Sequence, residues 1–223
     1  MQKNGDTLGI VFTGGEGPQE KVLKTVFSNL AAETIIAAAD SGITLAEKAG
    51  LKPDWIIGDM DSIKDEACLE AYPPERIIRY HKEKDLTDTE LALNLLWEKG
   101  CSSIWIAGGG GGRIDHLFGI RDLFEREQFP KRWLTASEDI YCIDAALNDR
   151  LYIAAGKDTF VSVFPLGNGP WKTESTGLKW ALNNVKWERG YYGLSNLAIC
   201  SEVEIIVLQG RFMVIFTGIV CQR

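Results

Sequence analysis

The order of short apolar runs and helical patterns, and its change partway along, limits this chain most. Apolar runs at residues 8–12, 34–39, 55–57, 76–80 and 104–107 read as strands. Helical spacing at 18–30, 43–49, 87–99 and 114–127 falls between and after them. In the helix at 87–99, Thr87 and Glu90 form a capping-box pattern, and Leu91, Leu95 and Leu96 recur on one face. Strands that alternate with helices predict a mostly parallel α/β sheet with helices on both faces. After about residue 135 the helical spacing stops. Short strands are predicted at 141–143, 151–154, 159–164, 178–182, 197–208 and 212–220, with turn-rich stretches at 167–170 and 190–193. That pattern predicts an antiparallel β-sandwich. Two domains are expected, 1–140 and 141–223.

Composition excludes some classes. The 24 Lys+Arg against 31 Asp+Glu give a net charge of -7, the wrong sign for a nucleic-acid binder. A nucleotide enzyme stays open, because a bound cation screens phosphates locally. Five widely spaced cysteines without a CxxC point to reduced thiols rather than a disulfide framework or zinc site. Residues 1–6 lack the apolar core of a signal peptide, and the apolar stretch at 212–221 is too short to span a bilayer. A cytoplasmic protein without membrane partners is expected.

Four segments carry chemistry. Gly58-Asp59-Met60-Asp61-Ser62 follows a strand, and paired carboxylates there suit Mg²⁺, which takes one or two carboxylates plus phosphate oxygens. Alone, such a pair is a weak signal and reads first as a helix cap. Asp40-Ser41-Gly42 also follows a strand and opens a helix, which suits a sugar hydroxyl or phosphate, or simply a turn. Lys84-Asp85-Leu86-Thr87-Asp88 runs into a helix whose dipole favours Asp88; for Lys84 the plain reading is a solvated side chain. The strongest segment is Gly108-Gly109-Gly110-Gly111-Gly112-Arg113-Ile114-Asp115-His116. Five glycines are entropically costly to order, and are tolerated where a ligand approaches the backbone. The run leads into a helix N-terminus, and Arg113 can grip phosphate in a bidentate way. Thr13-Gly14-Gly15 is a smaller version of the same idea.

All these segments sit at strand ends or helix starts of one α/β domain. Together they describe phosphoryl or nucleotidyl transfer. No G-x-x-x-x-G-K-[ST] is present, so the chain is not a P-loop enzyme, and no protein-kinase set occurs either. His116 is as readily a partner within the loop–helix junction as a base.

In order and rough spacing, Ala39-Asp40-Ser41-Gly42, Pro53-Asp54, Gly58-Asp59-Met60-Asp61-Ser62, Asp85-Leu86-Thr87-Asp88 and the glycine–Arg–x–Asp–His segment resemble the thiamine pyrophosphokinase family. Ser175-Thr176-Gly177-Leu178-Lys179-Trp180 and Gly193-Leu194-Ser195-Asn196 extend the resemblance into the second domain. The resemblance implies an N-terminal α/β domain that binds ATP and a C-terminal β-sandwich in a homodimer with the active site at its interface. It implies transfer of pyrophosphoryl from ATP to the thiamine hydroxyl, with Mg²⁺ held by Asp59, Asp61 and Asp88. Asp115 joins these three as a catalytic candidate, with the proton acceptor either Asp88 or Asp115. ATP contacts fall to Gly14, Gly15, Asp40, Ser41, Gly109, Gly112, Arg113 and His116, and thiamine contacts to Ser195, Asn196 and Trp180. Ser41 stands where the family often has glycine. The competing readings are a pyrophosphokinase acting on a hydroxymethyl pterin, a metal-dependent phosphohydrolase, and a non-catalytic nucleotide or thiamine sensor.

Overall fold

Buried parallel strands need apolar residues on both faces, and the N-terminal strands have them. The computed structural model describes residues 7–63, 66–219 and 221–222. The stretch 1–6, read above for a signal, and Val220, in the strand expected over 212–220, lie outside the described residues. The chain divides into two units. One comprises residues up to Leu123 plus Trp133–Ala136; the other comprises Phe124–Arg132 and Ser137 onward.

The first unit contains, in chain order, β1 (Leu8–Phe12), α1 (Glu20–Val26), β2 (Ile35–Ala39), α2 (Gly42–Lys48), β3 (Trp55–Gly58), β4 (Ile77–Arg79), α3 (Asp88–Glu98), β5 (Ser103–Ala107) and α4 (Ile114–Leu123), followed by β6 (Arg132–Leu134). The sheet order is β6-β5-β1-β2-β3-β4, and β5, β1, β2, β3 and β4 are paired in parallel. The order reverses between β1 and β5, so the loops after these strands face each other there. Ligands of open α/β sheets gather at such a reversal, outside the carboxyl ends of the strands. The helices at 18–30 and 114–127 are shorter than expected, ending at Val26 and Leu123. The capping box at Thr87 forms: its hydroxyl accepts from the Glu90 N–H, and the Glu90 carboxylate accepts from the Thr87 N–H at 2.8 Å.

The second unit has two antiparallel sheets. One is β11 (Gly193–Leu197), β9 (Phe160–Leu166), β13 (Arg211–Thr217) and β7 (Glu138–Asp144), in that order. The other is β10 (Lys172–Thr176), β12 (Val203–Gln209), β8 (Arg150–Ala154) and β14 (Cys221–Gln222). Val161 and Val163, Val203, Ile205 and Val207, and Phe212, Val214 and Phe216 alternate into one core with Leu151 and Ile153. That is the sandwich arrangement. The strand expected at 178–182 is not one: Leu178 makes a single bridge to Ala198, and Leu182 begins a 3₁₀ turn. Both leucines are buried, which is what imitated a strand. Among the described residues no helix is long and apolar enough to cross a membrane.

Candidate active site

The site begins where β2 and β3 end. Asp40 follows the buried Ala37–Ala39 run, and its N–H continues the ladder to the Ile57 carbonyl at 2.9 Å. Its φ of 46° lies in the left-handed region, which Asp tolerates better than most residues. One strand over, Met60 also turns left-handed, with φ 67°. Its side chain is buried among Ala38, Ile43, Ile56, Leu69 and Tyr72, which anchors the loop after β3. The Met60 N–H donates to Asp40 Oδ1 at 3.0 Å, so the two loops are tied to each other.

Gly58 makes room for this. A Cβ there would overlap Asp40 Oδ1, lie 2.7 Å from Asp40 Cγ and come within 3.3 Å of Asp88 Cγ. Two carboxyl groups therefore converge over its α-carbon. Asp88 arrives as the first residue of α3, set by the Thr87 cap. A buried hydroxyl pair, Thr13 Oγ1 with Thr89 Oγ1 at 2.7 Å, joins the end of β1 to the same helix turn. Asp59 completes the group: Asp40, Asp59 and Asp88 each offer a carboxylate oxygen, all within 4.8 Å of one another.

The electrostatics follow from that crowding. Partial burial, then the hydrogen bond and charge of Asp88, push the Asp40 carboxyl up to about 7, against the Met60 N–H that favours the anion. A cation in this group would favour the Asp40 anion that its surroundings now disfavour. Lys84 supplies one positive charge, its Nζ 2.7 Å from Asp88 Oδ1. Burial opposes the ammonium, yet Asp88, Asp59 and Asp40 hold its pKa above the usual lysine range. An all-oxygen acidic set fits a hard divalent cation such as Mg²⁺.

The remaining expected residues fall elsewhere. Asp61 is exposed and paired with Lys82 at 2.6 Å, which holds its carboxyl below the usual range; its N–H donates to Asp59 Oδ1 at 3.1 Å. Arg113 and Asp115 pair with each other at the start of α4 (Nε to Oδ1, 3.1 Å), and the His116 N–H also donates to Asp115. Both partners are exposed. Ser41 lies beside Gly14, where a Cβ would come 2.6 Å from the Ser41 hydroxyl. A cleft of about 770 Å³ opens here, lined by Thr13, Gly14, Gly15, Ser41, Thr44 and Lys48 among others.

The glycine run also has a neighbour within the chain itself, the 13–17 loop. Gly109 donates to the Gly14 carbonyl at 2.7 Å, and Gly110 exchanges two hydrogen bonds with Glu16. A Cβ at Gly110 would sit 2.8 Å from the Glu16 carbonyl, and one at Gly111 would sit 2.5 Å from the Glu16 carboxyl carbon. Much of the run is glycine because the 13–17 loop lies against it. Only Gly112 is open, with nothing near its Cβ position.

In the second unit, Asn196 is buried, and both ends of its amide are hydrogen-bonded. Its Oδ1 accepts from the Trp180 N–H at 3.1 Å and the Leu197 N–H at 2.9 Å, while Nδ2 donates to the Trp180 carbonyl at 2.6 Å. Trp180 itself is exposed beneath the Lys179 ammonium. Ser195 is exposed in a bulge of β11, with φ 55°. Sequence reasoning missed Asp40 as a member of the acidic group and Lys84 as its partner. For Asp40 the available signal was a glycine, Gly58, at the end of the neighbouring strand. For Lys84 no signal separates it from a solvated lysine.

The family model "Thiamin pyrophosphokinase, catalytic domain" matches residues 27–131, which include Asp40, Asp59, Asp88 and Arg113. The thiamine pyrophosphokinase of Bacillus subtilis is 28% identical over 188 residues, 80% of this chain and 82% of that protein. Thiamine pyrophosphokinase 2 of Arabidopsis thaliana is 27% identical over 177 residues, 74% of this chain but 65% of its own length. The crystal structure of the Bacillus subtilis enzyme superposes with a TM-score of 0.76 at 25% identity, covering 95% of this chain and 99% of that one. Thiamin pyrophosphokinase of Candida albicans shares the fold at 17% identity, with a TM-score of 0.67 over 96% of this chain and 90% of that one.

Proposed function

We propose, from its similarity to the thiamine pyrophosphokinase family, that the chain transfers the pyrophosphoryl group of ATP to the hydroxyl of thiamine, giving thiamine diphosphate and AMP. The observation that carries the reading is the meeting of Asp40, Asp59 and Asp88 at the carboxyl ends of parallel strands, beside the cleft at the β1–β5 reversal. The named relatives are thiamine enzymes, which favours thiamine over a pterin acceptor.

In this reading the thiamine hydroxyl attacks the β-phosphorus and AMP leaves. Mg²⁺, when bound, neutralises phosphate charge that builds up in the transition state. Asp59 and Asp88 would hold it together with Asp40, and Asp61, whose N–H donates to Asp59 Oδ1, would add a fourth carboxylate beside them. Arg113 meets phosphate oxygens by exchanging Asp115 for them, since both are exposed. The proton acceptor is Asp88 or Asp115; Arg113 holds the Asp115 carboxyl below the usual range, which weakens it as a base. Gly14, Gly15, Ser41, Gly109, Gly112 and His116 line the nucleotide's path at the ends of β1, β2 and β5. Positioning supplies most of the acceleration, as is usual for phosphoryl transfer.

The reading extends to a homodimer whose interface holds the thiamine site, and to a cytoplasmic location where ATP is at hand. The exposed Trp180, Tyr191, Tyr192 and Leu194 support a surface that a second copy covers. Sedimentation at several concentrations tests the dimer. Product analysis with ATP, Mg²⁺ and thiamine tests the reaction. AMP formed in step with thiamine diphosphate, and only with thiamine and metal present, is the expected result. Phosphate released without thiamine would make the protein a hydrolase. Binding of ATP without any turnover would make it a sensor.

A further inference from the structure

Two lysines of one loop cover the acids differently. Lys82 meets Asp61 at the surface, with the lysine side chain 79% exposed. Lys84 meets Asp88 with only 14% and 20% of the two side chains exposed. The four-residue spacing of Lys84 and Asp88 is not a helical pairing. Thr87 is extended, with φ -69° and ψ 158°, and α3 begins only at Asp88. The loop therefore folds back to bring an ammonium against a helix N-terminus, where the dipole disfavours positive charge. The Asp40–Asp59–Asp88 group is what makes that placement favourable.

We propose, resting on the reading above, that Lys84 is a built-in counter-ion that holds the acidic group together before metal arrives, and that a divalent cation displaces it. A Mg²⁺ ion would sit about 2.1 Å from a carboxylate oxygen. Nζ is 2.7 Å from Asp88 Oδ1, so both cations on that oxygen would lie within a few ångströms of each other and repel strongly. The displaced ammonium, on a flexible four-carbon stem, then reaches the phosphates that arrive with the metal. Lys84 is thus a positioning residue in the free protein and a phosphate contact in the loaded one.

The test separates these two states. Mn²⁺, read by its electron paramagnetic resonance, is titrated into metal-stripped full-length protein without nucleotide. Lys84→Met keeps the apolar stem and removes the charge. It is expected to bind Mn²⁺ about three- to tenfold more tightly than the parent, and to melt lower in chelator, with the melting loss regained at saturating Mn²⁺. Lys84→Gln carries the same expectation should the Met variant fold poorly, and Lys84→Arg is expected to bind like the parent. The KM for metal–ATP is expected to rise about tenfold in Lys84→Met, more than kcat falls. Unchanged or weaker Mn²⁺ binding by folded neutral variants would overturn the proposal. The titration needs no turnover, so failure to form thiamine diphosphate would remove the functional reading while leaving the Mn²⁺ comparison to stand or fall alone.

Discussion

Asp40 Oδ1 accepts the Met60 N–H at 3.0 Å, which fixes the end of β2 against the loop after β3. The same carboxyl is pushed up to about 7 by its burial and by Asp88. One side chain thus serves the loop geometry as a hydrogen-bond acceptor and strains it as a charge. The two roles can be separated by substitution.

Asp40→Asn keeps an acceptor oxygen and a residue type at ease with φ 46°. The sign of its stability effect follows from linkage. Folding raises the Asp40 pKa from 3.8 to about 7, so between these values the folded state holds a proton that the unfolded chain has lost. Stability from this group therefore falls as pH rises through that window. Metal-free Asp40→Asn should match the parent near pH 4 and exceed it at pH 8, by about 1–2 kcal/mol after allowance for solvent screening. Turnover should drop at least about a hundredfold. Melts in chelator at both pH values check this; a less stable variant at pH 8 would show that Asp40 is not strained.

Gly58→Ala pits backbone strain against the site. Its φ is +148°, and a Cβ would fall on the Asp40 carboxyl. The expected cost is about 1–3 kcal/mol, with loss of metal binding as Asp40 is pushed aside. Gly112→Ala is the contrast: its φ is +66°, but its Cβ position is empty, so only the left-handed cost of about 1 kcal/mol applies. Equal metal affinity in the two variants, measured by calorimetry, would mean the steric reading of Gly58 is wrong.

Much of this was legible beforehand, for identifiable reasons. Buried parallel strands such as Ile35–Ala39 have few polar residues, so the α/β unit could be read from apolar runs. β10 (Lys172–Thr176) was missed because it is an edge strand paired only with β12, and its KTEST sequence carries no apolar alternation. β11, the edge of the other sheet, is bulged and begins with glycine. The acidic residues were found as a list, but not as a group. Asp40, Asp59 and Asp88 meet only because two strands end and a helix begins at one place, which spacing along the chain does not reveal. The glycine run suits the approach of a ligand, but the sequence does not reveal that the chain's own 13–17 loop also packs against it.

Asp61→Asn should cost activity far more than stability. Asp61 is exposed, and its pairing with the mostly exposed Lys82 contributes little to folding. Its value lies in charge next to Asp59, to which its N–H donates. A fall in kcat/KM of about tenfold or more with an unchanged melting temperature is expected. Parallel losses of both would place Asp61 in the structural framework instead.

Asn196 and Trp180 make the last prediction, and it divides framework from contact. The Asn196 amide holds the Trp180 backbone through both its N–H and its carbonyl, from a buried position. Asn196→Ala leaves those groups without their partners and should cost about 2–3 kcal/mol. Trp180 presents an exposed indole on that clamp, so Trp180→Ala should barely move the melting temperature. If the clamp exists to hold the indole for thiamine, both variants raise the KM for thiamine and leave the KM for ATP near the parent value. Asn196→Ala then carries the stability loss, and Trp180→Ala the larger affinity loss. A Trp180→Ala enzyme with an unchanged KM for thiamine would leave Asn196 with the purely structural task of closing the turn before the Leu182–Asn184 helix.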